Sequence, residues 1–598
     1  MFTIIQKSIG RLLLFLYLPF MIDSFFYAKI WVAILLIVSL SCQTDAPVLS
    51  NTITIRLASE PEQVDPLLAR TLADRQLSEL LFLPLLDYDP QTLEMVPVLA
   101  EDFPSIKKIT DGLYSGGTAY DFTIRAAARW DNGDPVTAKD YIFTFKTLLH
   151  PNVNAAPFRA YFNFLKAIEP DPDNPKKFRV ITDRPYILAL EALGSIGIYP
   201  AYHYDPGQVL EKIKMGDLTD SERADSLVKN NASFAAFAAD FNNKKTTSTV
   251  GGSAYQLTAW TANQQLILQK KENHWTNSTS DLPDYLRTIP DKLIFKIIPD
   301  INSAISLLQS EKLDVLTDLP SGQIPTLQEE LVDHYNFYTP KKLVYYYIGI
   351  NGNQPYLNQP DTRRAVAHLV EVDFIIKNLF AGYAQRTIGP IHPSKSYYNT
   401  GLAPIEYDPA KATQYLEKQG WEMAANGILY KKINGKNMPL RLRYAYHASN
   451  QTAEEVGILL QKSARAIGIE VIPEAMEIKS LLTAYRQRDY DLIYLKWTVP
   501  SGLDDLRQIW HSTGNVAGGS NRTGFGDAVS DEIIDKIRVS YSPKIRKELY
   551  FRIQNIIYQE QPYIFLYTPL ERMAIHKRFK MKPTAHYPGY TITQFNVR

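Results

Sequence analysis

The chain has 598 residues, with 64 Lys or Arg against 63 Asp or Glu and a net charge of +1. This balance excludes the basic surface that nucleic-acid-binding proteins carry, and it excludes a polybasic patch for an anionic membrane. The length allows two or three domains, and the single cysteine excludes a disulfide within the chain.

The first predicted element is a targeting segment that ends at Cys42. An apolar run over 30–41 follows Lys29 and is shorter than the roughly 20 residues that span a bilayer. Small residues followed by a lone cysteine are typical of a bacterial lipoprotein signal. The pattern predicts a signal peptide over 1–41, lipidation at Cys42 and a tether over 42–51.

Two features of this leader leave alternatives open. Ser39 stands three positions before Cys42, where lipoprotein signals usually carry an aliphatic residue. A second apolar block over 12–22 lengthens the leader, so Met21 is an alternative start. A membrane hairpin over 12–41, or a free thiol at the end of a membrane helix, also remains open.

Beyond residue 51 the first half of the chain alternates strands, helices and turns. Period-2 alternation predicts a strand over 52–57, and Thr137 is the predicted N-cap of a helix that ends at Leu149. Residues 205–247 are polar and helix-prone, which indicates a surface insertion rather than a core element. The other elements predicted here are a helix over 75–86 and strands over 119–126, after Tyr255 and over 266–270.

From about residue 300 the pattern becomes α/β. Asp300 and Asp361 are predicted N-caps of helices with apolar residues at helical spacing. The clearest unit is 440–472, where a strand, a helix closed by Gly468 and a second strand predict a βαβ crossover in a parallel sheet. The remaining elements are a strand over 313–316, helices over 531–538 and 543–558, and a strand over 563–567.

Motifs of catalysis and metal binding are absent from the sequence. No His-Glu-x-x-His, Cys-x-x-Cys, Gly-x-Ser-x-Gly or Gly-x-x-x-x-Gly-Lys pattern occurs. His274 and His511 stand beside tryptophans, and we expect them to pack or to face solvent rather than to bind metal. The sequence therefore predicts no enzyme, no metal site and no cofactor.

Several sequence blocks follow one another in an order that is typical of one family. The strongest covers 128–140 and contains a tryptophan, an Asn-Gly turn and a Pro-Val-Thr-Ala helix start. The others are 252–257 with 268–275, 361–373, 389–393 with 407–412, and Trp497 with 531–562. Over about 52–579 the chain resembles the extracytoplasmic solute-binding proteins of ABC transporters, family 5, the oligopeptide, dipeptide and nickel-binding group.

The resemblance implies an α/β fold of the periplasmic-binding-protein type, a bilobal clamp of three subdomains with mixed sheets. Ligand would bind between the lobes and drive hinge closure. The chain would cross between the lobes near Ile298 and near Tyr563. The implied boundaries are 52–90 with 200–298 and 563–598 for the first lobe, 91–199 for a small insert packed on it, and 299–562 for the second lobe.

The resemblance also implies where the ligand lies. In the peptide binders an Asp three residues after the cleft tryptophan pairs with the peptide α-amine, and Pro500 stands at that position here. Asp504 and Asp505 are the open candidates to replace it. The predicted ligand-lining residues are Glu60, Tyr255, Lys496, Trp497, Thr498 and Asp504, with a core position as the alternative for Tyr255 and Trp497.

The function implied by the resemblance is substrate binding for an ABC importer. A lipid-anchored, monomeric protein on the extracytoplasmic face, in a periplasm where one exists, would deliver a peptide or similar solute to a membrane permease. A ligand-sensing receptor or chaperone-like clamp, or a binder of a nickel chelate, are the alternatives. A lipid-anchored hydrolase is a third class, and it needs a nucleophile–base pair that the sequence does not reveal.

Overall fold

The computed structural model describes residues 51–243, 249–279, 282–516 and 518–597. The predicted signal peptide, Cys42 and the tether up to residue 50 lie outside the described residues. From Asn51 onward the chain forms one compact unit. In the part of the chain that the structure describes, no helix has both the length and the apolar character needed to cross a membrane.

The helices and strands follow one another in short segments along the described chain. The strands are β1 (Thr52–Leu57), β2 (Leu86–Tyr88), β3 (Met95–Pro97), β4 (Ser105–Lys108), β5 (Thr118–Thr123), β6 (Leu165–Pro170), β7 (Lys177–Thr182), β8 (Tyr255–Thr261), β9 (Gln265–Lys270), β10 (Lys292–Ile297), β11 (Val315–Leu316), β12 (Tyr335–Tyr338), β13 (Val344–Ile350), β14 (Ala384–Arg386), β15 (Glu422–Met423), β16 (Leu429–Ile433), β17 (Lys436–Pro439), β18 (Arg441–His447), β19 (Glu470–Met476), β20 (Leu492–Thr498), β21 (Tyr563–Pro569), β22 (Met573–His576), β23 (Phe579–Lys580) and β24 (Asn596–Val597). The α-helices are α1 (Leu72–Leu81), α2 (Ala138–Leu149), α3 (Ala156–Arg159), α4 (Ala189–Gly194), α5 (Ala201–Tyr204), α6 (Met215–Leu218), α7 (Ser221–Asn230), α8 (Ala232–Asn242), α9 (Trp275–Ser278), α10 (Ile301–Gln309), α11 (Ile324–Glu330), α12 (Pro360–Ala367), α13 (Val372–Leu379), α14 (Pro409–Lys418), α15 (Gln451–Arg465), α16 (Ile478–Gln487), α17 (Arg507–Trp510), α18 (Ala528–Val539) and α19 (Pro543–Glu560).

A seven-stranded sheet forms the centre of the first lobe, in the order β12-β22-β11-β1-β10-β9-β8. β1 pairs parallel with β10 and β11, while the outer pairs are antiparallel. The predicted alternation in β1 is confirmed, because Ile53, Ile55 and Leu57 are buried and the residues between them are partly exposed. The sheet is therefore mixed and buries one face of its central strand.

A four-stranded antiparallel sheet, β4-β5-β7-β6, forms the insert and packs against α2. The predicted helix start is confirmed, since Thr137 and Asp140 form a capping box. Tyr141 on α2 packs against Phe122 and Phe178 of the sheet, with ring centroids 6.3 and 4.5 Å away. These rings belong to the same continuous apolar core as the first lobe.

A six-stranded mixed sheet, β14-β21-β13-β20-β18-β19, forms the centre of the second lobe. The predicted βαβ crossover is confirmed, because β18 and β19 pair in parallel and α15 connects them. Gly468 follows that helix with φ of +86°, a backbone conformation that glycine adopts without steric cost. Both lobes are thus mixed α/β, which confirms the predicted fold class.

The sheets correct the predicted lobe crossings. β11 and β12 were expected in the second lobe, yet both pair in the first sheet, and β21 pairs in the second. The chain therefore crosses at 339–343 and returns at 570–572, where Lys341 and Leu570 form a bridge between the crossing segments. The prediction was wrong because β12 is held by β22, which lies more than 200 residues further along the chain.

Two local predictions were also wrong. Gln359, not Asp361, is the N-cap of α12, because Pro360 takes the first helical position, and Asp361 instead pairs with Lys418 at 2.9 Å. The expected surface insertion contributes to the core, since Phe234, Phe237 and Phe241 of α8 are buried in it. The polar composition of 205–247 concealed this apolar helix face.

Candidate functional site

The loop at 499–505 follows β20 in the second lobe and makes non-covalent contacts with the first lobe and the insert. Ser501 Oγ lies 2.9 Å from Nδ1 of His586, and Tyr186 donates its hydroxyl hydrogen to Asp505 at 3.2 Å. The hydroxyls of Tyr120 in the insert and Tyr541 in the second lobe also lie 2.8 Å apart. The lobes and the insert are therefore in polar contact across the cleft between them.

Gly502 in this loop lies directly against two side chains on the opposite side of the contact. A Cβ at this position would lie 2.0 Å from the hydroxyl oxygen of Tyr88 and 2.4 Å from Oε2 of Glu191. Tyr88 ends β2, and Glu191 lies on α4. No side chain fits between the loop and these two groups, so glycine allows the lobes to meet here.

Lys395 holds the loop from within the second lobe. Its ammonium group is buried and donates to the carbonyl oxygens of Pro500 and Ser501 at 2.6 Å each, and to that of Gly502. Burial lowers the pKa of Lys395, and the nearby carboxylates of Asp504 and Glu191 oppose that shift. The charge of Lys395 is thus compensated by acceptors of this chain.

Both candidate amine-binding aspartates have partners within the chain. Asp504 is buried and accepts a hydrogen bond from Tyr397 at 2.8 Å. Burial raises the pKa of Asp504, while the Lys395 charge and the Tyr397 hydrogen bond oppose that rise. Asp505 pairs with Arg538 at 3.0 Å. Neither carboxylate faces the cleft as an unpaired anion.

The strand end before the loop presents its side chains to solvent. Lys496, Trp497 and Thr498 are exposed in succession at the end of β20 that lies next to the crossing segments. Trp497 retains 37% of its surface accessible, so its side chain does not lie in the core. The structure therefore places these three predicted residues together beside the cleft.

The other two predicted residues have structural contacts in the first lobe. Tyr255 is 1% exposed and donates its hydroxyl hydrogen to the carbonyl oxygen of Pro290 at 2.9 Å, which matches its core alternative. The Glu60 carboxylate accepts hydrogen bonds from Nε1 of Trp260 at 2.7 Å and from the backbone N–H of Asn263 at 3.0 Å. Glu60 thereby holds the β8–β9 turn.

Two carboxyl groups of the first lobe, Glu79 and Asp87, have raised pKa values that the sequence does not reveal. Glu79 on α1 remains accessible to solvent, yet desolvation by the surrounding protein and the charge of Asp87 raise its pKa to about 8, against a smaller opposing effect of Arg75. Desolvation also raises the pKa of Asp87 to about 6. Glu79 looks like an ordinary polar helix residue in sequence, because its desolvation depends on how the folded chain packs around it.

Comparisons with known proteins agree with this architecture. A family model for bacterial extracellular solute-binding proteins, family 5 Middle, matches residues 94–518. The oligopeptide-binding protein AppA of Bacillus subtilis (strain 168) is 24% identical over 465 residues, which is 77% of each chain.

Solved structures share the fold across almost the whole chain. The periplasmic murein tripeptide-binding protein MppA, in its unliganded open form, is similar with a TM-score of 0.70 at 16% identity, over 92% of this chain and 98% of that chain. NikZ from Campylobacter jejuni in complex with Ni(L-His) is similar with a TM-score of 0.59 at 21% identity, over 89% and 95% of the two chains. Because the family model covers more than half of the sequence, the chain belongs to the bacterial extracellular solute-binding proteins of family 5.

Proposed function

We propose that this protein captures a peptide or peptide-like solute between its lobes and delivers it to the permease of an ABC importer. The observation that carries the proposal is the contact of the 499–505 loop with the opposite lobe, where Gly502 meets Tyr88 and Glu191. A clamp that closes in this way buries its ligand and presents one closed shape to a membrane partner. A peptide ligand is supported by two similar proteins, which are named as an oligopeptide-binding protein and a murein tripeptide-binding protein.

The residues we propose as ligand contacts are Lys496, Trp497 and Thr498. They form an exposed strand end beside the cleft, and a peptide can bind along such an edge through main-chain hydrogen bonds. The aromatic face of Trp497 offers apolar contact area for a ligand side chain. Glu60, in the first lobe, is a secondary candidate whose carboxylate already accepts hydrogen bonds from Trp260 and Asn263, while Tyr255 lies in the core and is left out.

The ligand amine is not anchored by the loop in this proposal. Asp504 and Asp505 already pair with Tyr397 and Arg538, and the carbonyl oxygens of the loop accept from Lys395. A peptide amine would have to displace buried partners to bind there, which leaves those partners unsatisfied. We therefore expect amino-terminal acetylation of a peptide to leave its affinity nearly unchanged.

A non-enzymatic role fits the contacts better than a hydrolase. Ser501 and His586 form a hydrogen bond like that of a nucleophile and its base. Among the hydrogen bonds of the described residues, however, none orients Nε2 of His586, and a base in a triad is held by such a third group. We propose that this pair is a contact between the lobes, and ester turnover by pure protein would contradict this.

The proposal also includes a lipid anchor at Cys42 on the extracytoplasmic side of a membrane and a monomeric state. The sequence pattern at 30–42 supports the anchor. A tethered clamp searches for its permease over a surface instead of a volume. Stable attachment needs more than one acyl chain, because a single chain binds a bilayer only marginally.

The test is thermal stabilisation of the full-length chain in a mild detergent. A ligand that binds only the folded state at about 100 times its Kd stabilises by about 2.7 kcal/mol. We expect mixed tri- to nonapeptides to raise the Tm, acetylated peptides to do so equally, and a Trp497→Ala variant to lose the shift. A shift with a nickel–histidine chelate but none with peptides would refute the peptide ligand.

A further inference from the structure

A second cluster of polar side chains lies on the first lobe and shares no residue with the contacts between the lobes described above. Glu311 follows α10, His334 precedes β12 and His576 ends β22. Oε2 of Glu311 lies 3.2 Å from Nδ1 of His334 and 3.2 Å from Nε2 of His576. All three atoms lie within 4.8 Å of one another, although the sequence predicts no metal ligands.

The backbone holds each of these residues in place. The Glu311 amide donates to Leu308 at 3.0 Å, and the His576 amide donates to Asp314 at 2.8 Å. The carbonyl oxygen of His334 accepts from the Lys577 amide at 2.7 Å. The three side chains therefore converge from segments that are already fixed, as a preorganised ligand set requires.

We propose that Glu311, His334 and His576 bind a divalent transition-metal ion such as Zn²⁺. Two imidazoles and one carboxylate are ligands that zinc, nickel and copper prefer, whereas magnesium and calcium prefer oxygen alone. Ligand bonds of about 2.1 Å in a tetrahedral site place neighbouring ligand atoms about 3.4 Å apart. The two 3.2 Å distances match that edge. Glu311 and His334 are exposed, so water can complete the coordination.

The placement distinguishes this ion from a transported solute. β12 runs from the site to one crossing segment and β22 runs from the other crossing segment back to the site, so the site lies at the strand ends opposite the crossings. An ion there would connect residues 311, 334 and 576 and would stabilise the first lobe rather than enter the cleft. The inference is independent of the proposed transport function.

One contact opposes binding and limits the affinity. The Arg578 amide donates to Nδ1 of His576 at 3.1 Å, so the metal-free ring carries its proton on Nε2. Metal at Nε2 moves that proton to Nδ1 and gives up this hydrogen bond. We therefore expect affinity in the micromolar range, below that of a closed structural zinc site.

The experiment titrates Co²⁺ and Zn²⁺ into the chelator-treated full-length chain in mild detergent. We expect one ion per chain, the visible absorption of tetrahedral Co²⁺, and a higher Tm with Zn²⁺. His334→Ala and Glu311→Gln, both at exposed positions, should weaken binding at least about tenfold, by analogy with losses seen around known sites. His447→Ala is the matched control, since that histidine contacts only Ser449 among the side-chain hydrogen bonds of the described residues.

Three outcomes would overturn the proposal. The first is that the wild-type chain binds neither Co²⁺ nor Zn²⁺ at an ion concentration of about 1 mM, well above the micromolar range expected for such ligands. Alternatively, His334→Ala and Glu311→Gln, checked for folding by circular dichroism, would bind as tightly as the wild type. Binding lost only in Cys42→Ser would assign the ion to the amino-terminal thiol instead.

Discussion

Substitution of Gly502 by alanine tests whether the 499–505 loop controls the contact between the lobes. A Cβ at this position starts 2.0 Å from the Tyr88 hydroxyl and 2.4 Å from the Glu191 carboxylate. Because ordinary contacts begin near 3.4 Å, either the loop or the Tyr88 and Glu191 side chains must shift by about 1.4 Å, and we expect the loop to move. That displacement breaks the Ser501–His586 and Tyr186–Asp505 hydrogen bonds, which join the lobes.

The expected magnitude follows from these two bonds. At typical net values, one neutral bond and one to a carboxylate contribute about 2–3 kcal/mol together. The arrangement in which the loop contacts the opposite lobe should therefore become roughly 30- to 140-fold less populated relative to one without these contacts. Hydrogen–deuterium exchange of the full-length chain measures this shift as faster amide exchange, both in 499–505 and in α4 on the opposite side.

The control is Gly389→Ala, where a Cβ meets no atom within 4 Å, so exchange should stay at the wild-type rate. Faster exchange in the loop alone, with α4 unchanged, would show that the loop moves without opening the lobes. Wild-type exchange throughout Gly502→Ala would refute the reasoning.

Three further predictions concern charge and attachment. Lys395→Met leaves three loop carbonyls without their donor and removes the charge that favours the ionised form of Asp504, so it should lower the free energy of unfolding in urea by about 3–5 kcal/mol, and a loss below about 1 kcal/mol would contradict this. Between about pH 4.5 and pH 8 the unfolded chain releases a proton that Glu79 keeps in the folded chain, so stability falls as pH rises. The Tm of Glu79→Gln should therefore fall less between pH 5 and pH 8 than the Tm of the wild type. Glu422→Gln, at an exposed position, is the control and should lose as much Tm as the wild type. If Glu79→Gln also loses as much Tm as the wild type, the raised pKa of Glu79 is contradicted. Cys42→Ser should leave ligand binding intact and release the protein from membranes, and a variant that stays membrane-bound would indicate an uncleaved apolar anchor.

Local signals in the sequence predicted much of the fold. Alternation marked β1, the capping residues marked α2 and α10, and Gly468 marked the end of α15. The sheet that each strand joins could not be predicted from such local signals. Val315–Leu316, for example, is a two-residue strand whose place depends on β1 and on β22 far along the chain. Pairing between distant segments has no local pattern, so the lobe crossings were placed too early in both directions.

The candidate site shows the same division. The strand end at Lys496–Thr498 was predictable, because Trp497 is itself the tryptophan of the family pattern. The partners of Asp504 and Asp505 were not, since Lys395, Tyr397 and Arg538 come from other segments. The raised pKa of Glu79 likewise depends on atoms that reach it only in the folded chain.

These partners give the Pro500 departure a physical meaning. A loop built to bind an amine needs an anion that lacks a cation until ligand arrives, since a buried unpaired charge is costly and only the ligand relieves it. Here Lys395 already donates to three loop carbonyls, and Arg538 already pairs with Asp505. The loop is therefore stable without ligand and can close on Tyr88 and Glu191 through Gly502. Under the proposed function, we expect such a loop to select a ligand by the shape of the closed cleft and by main-chain hydrogen bonds, with weak selectivity for a terminal amine.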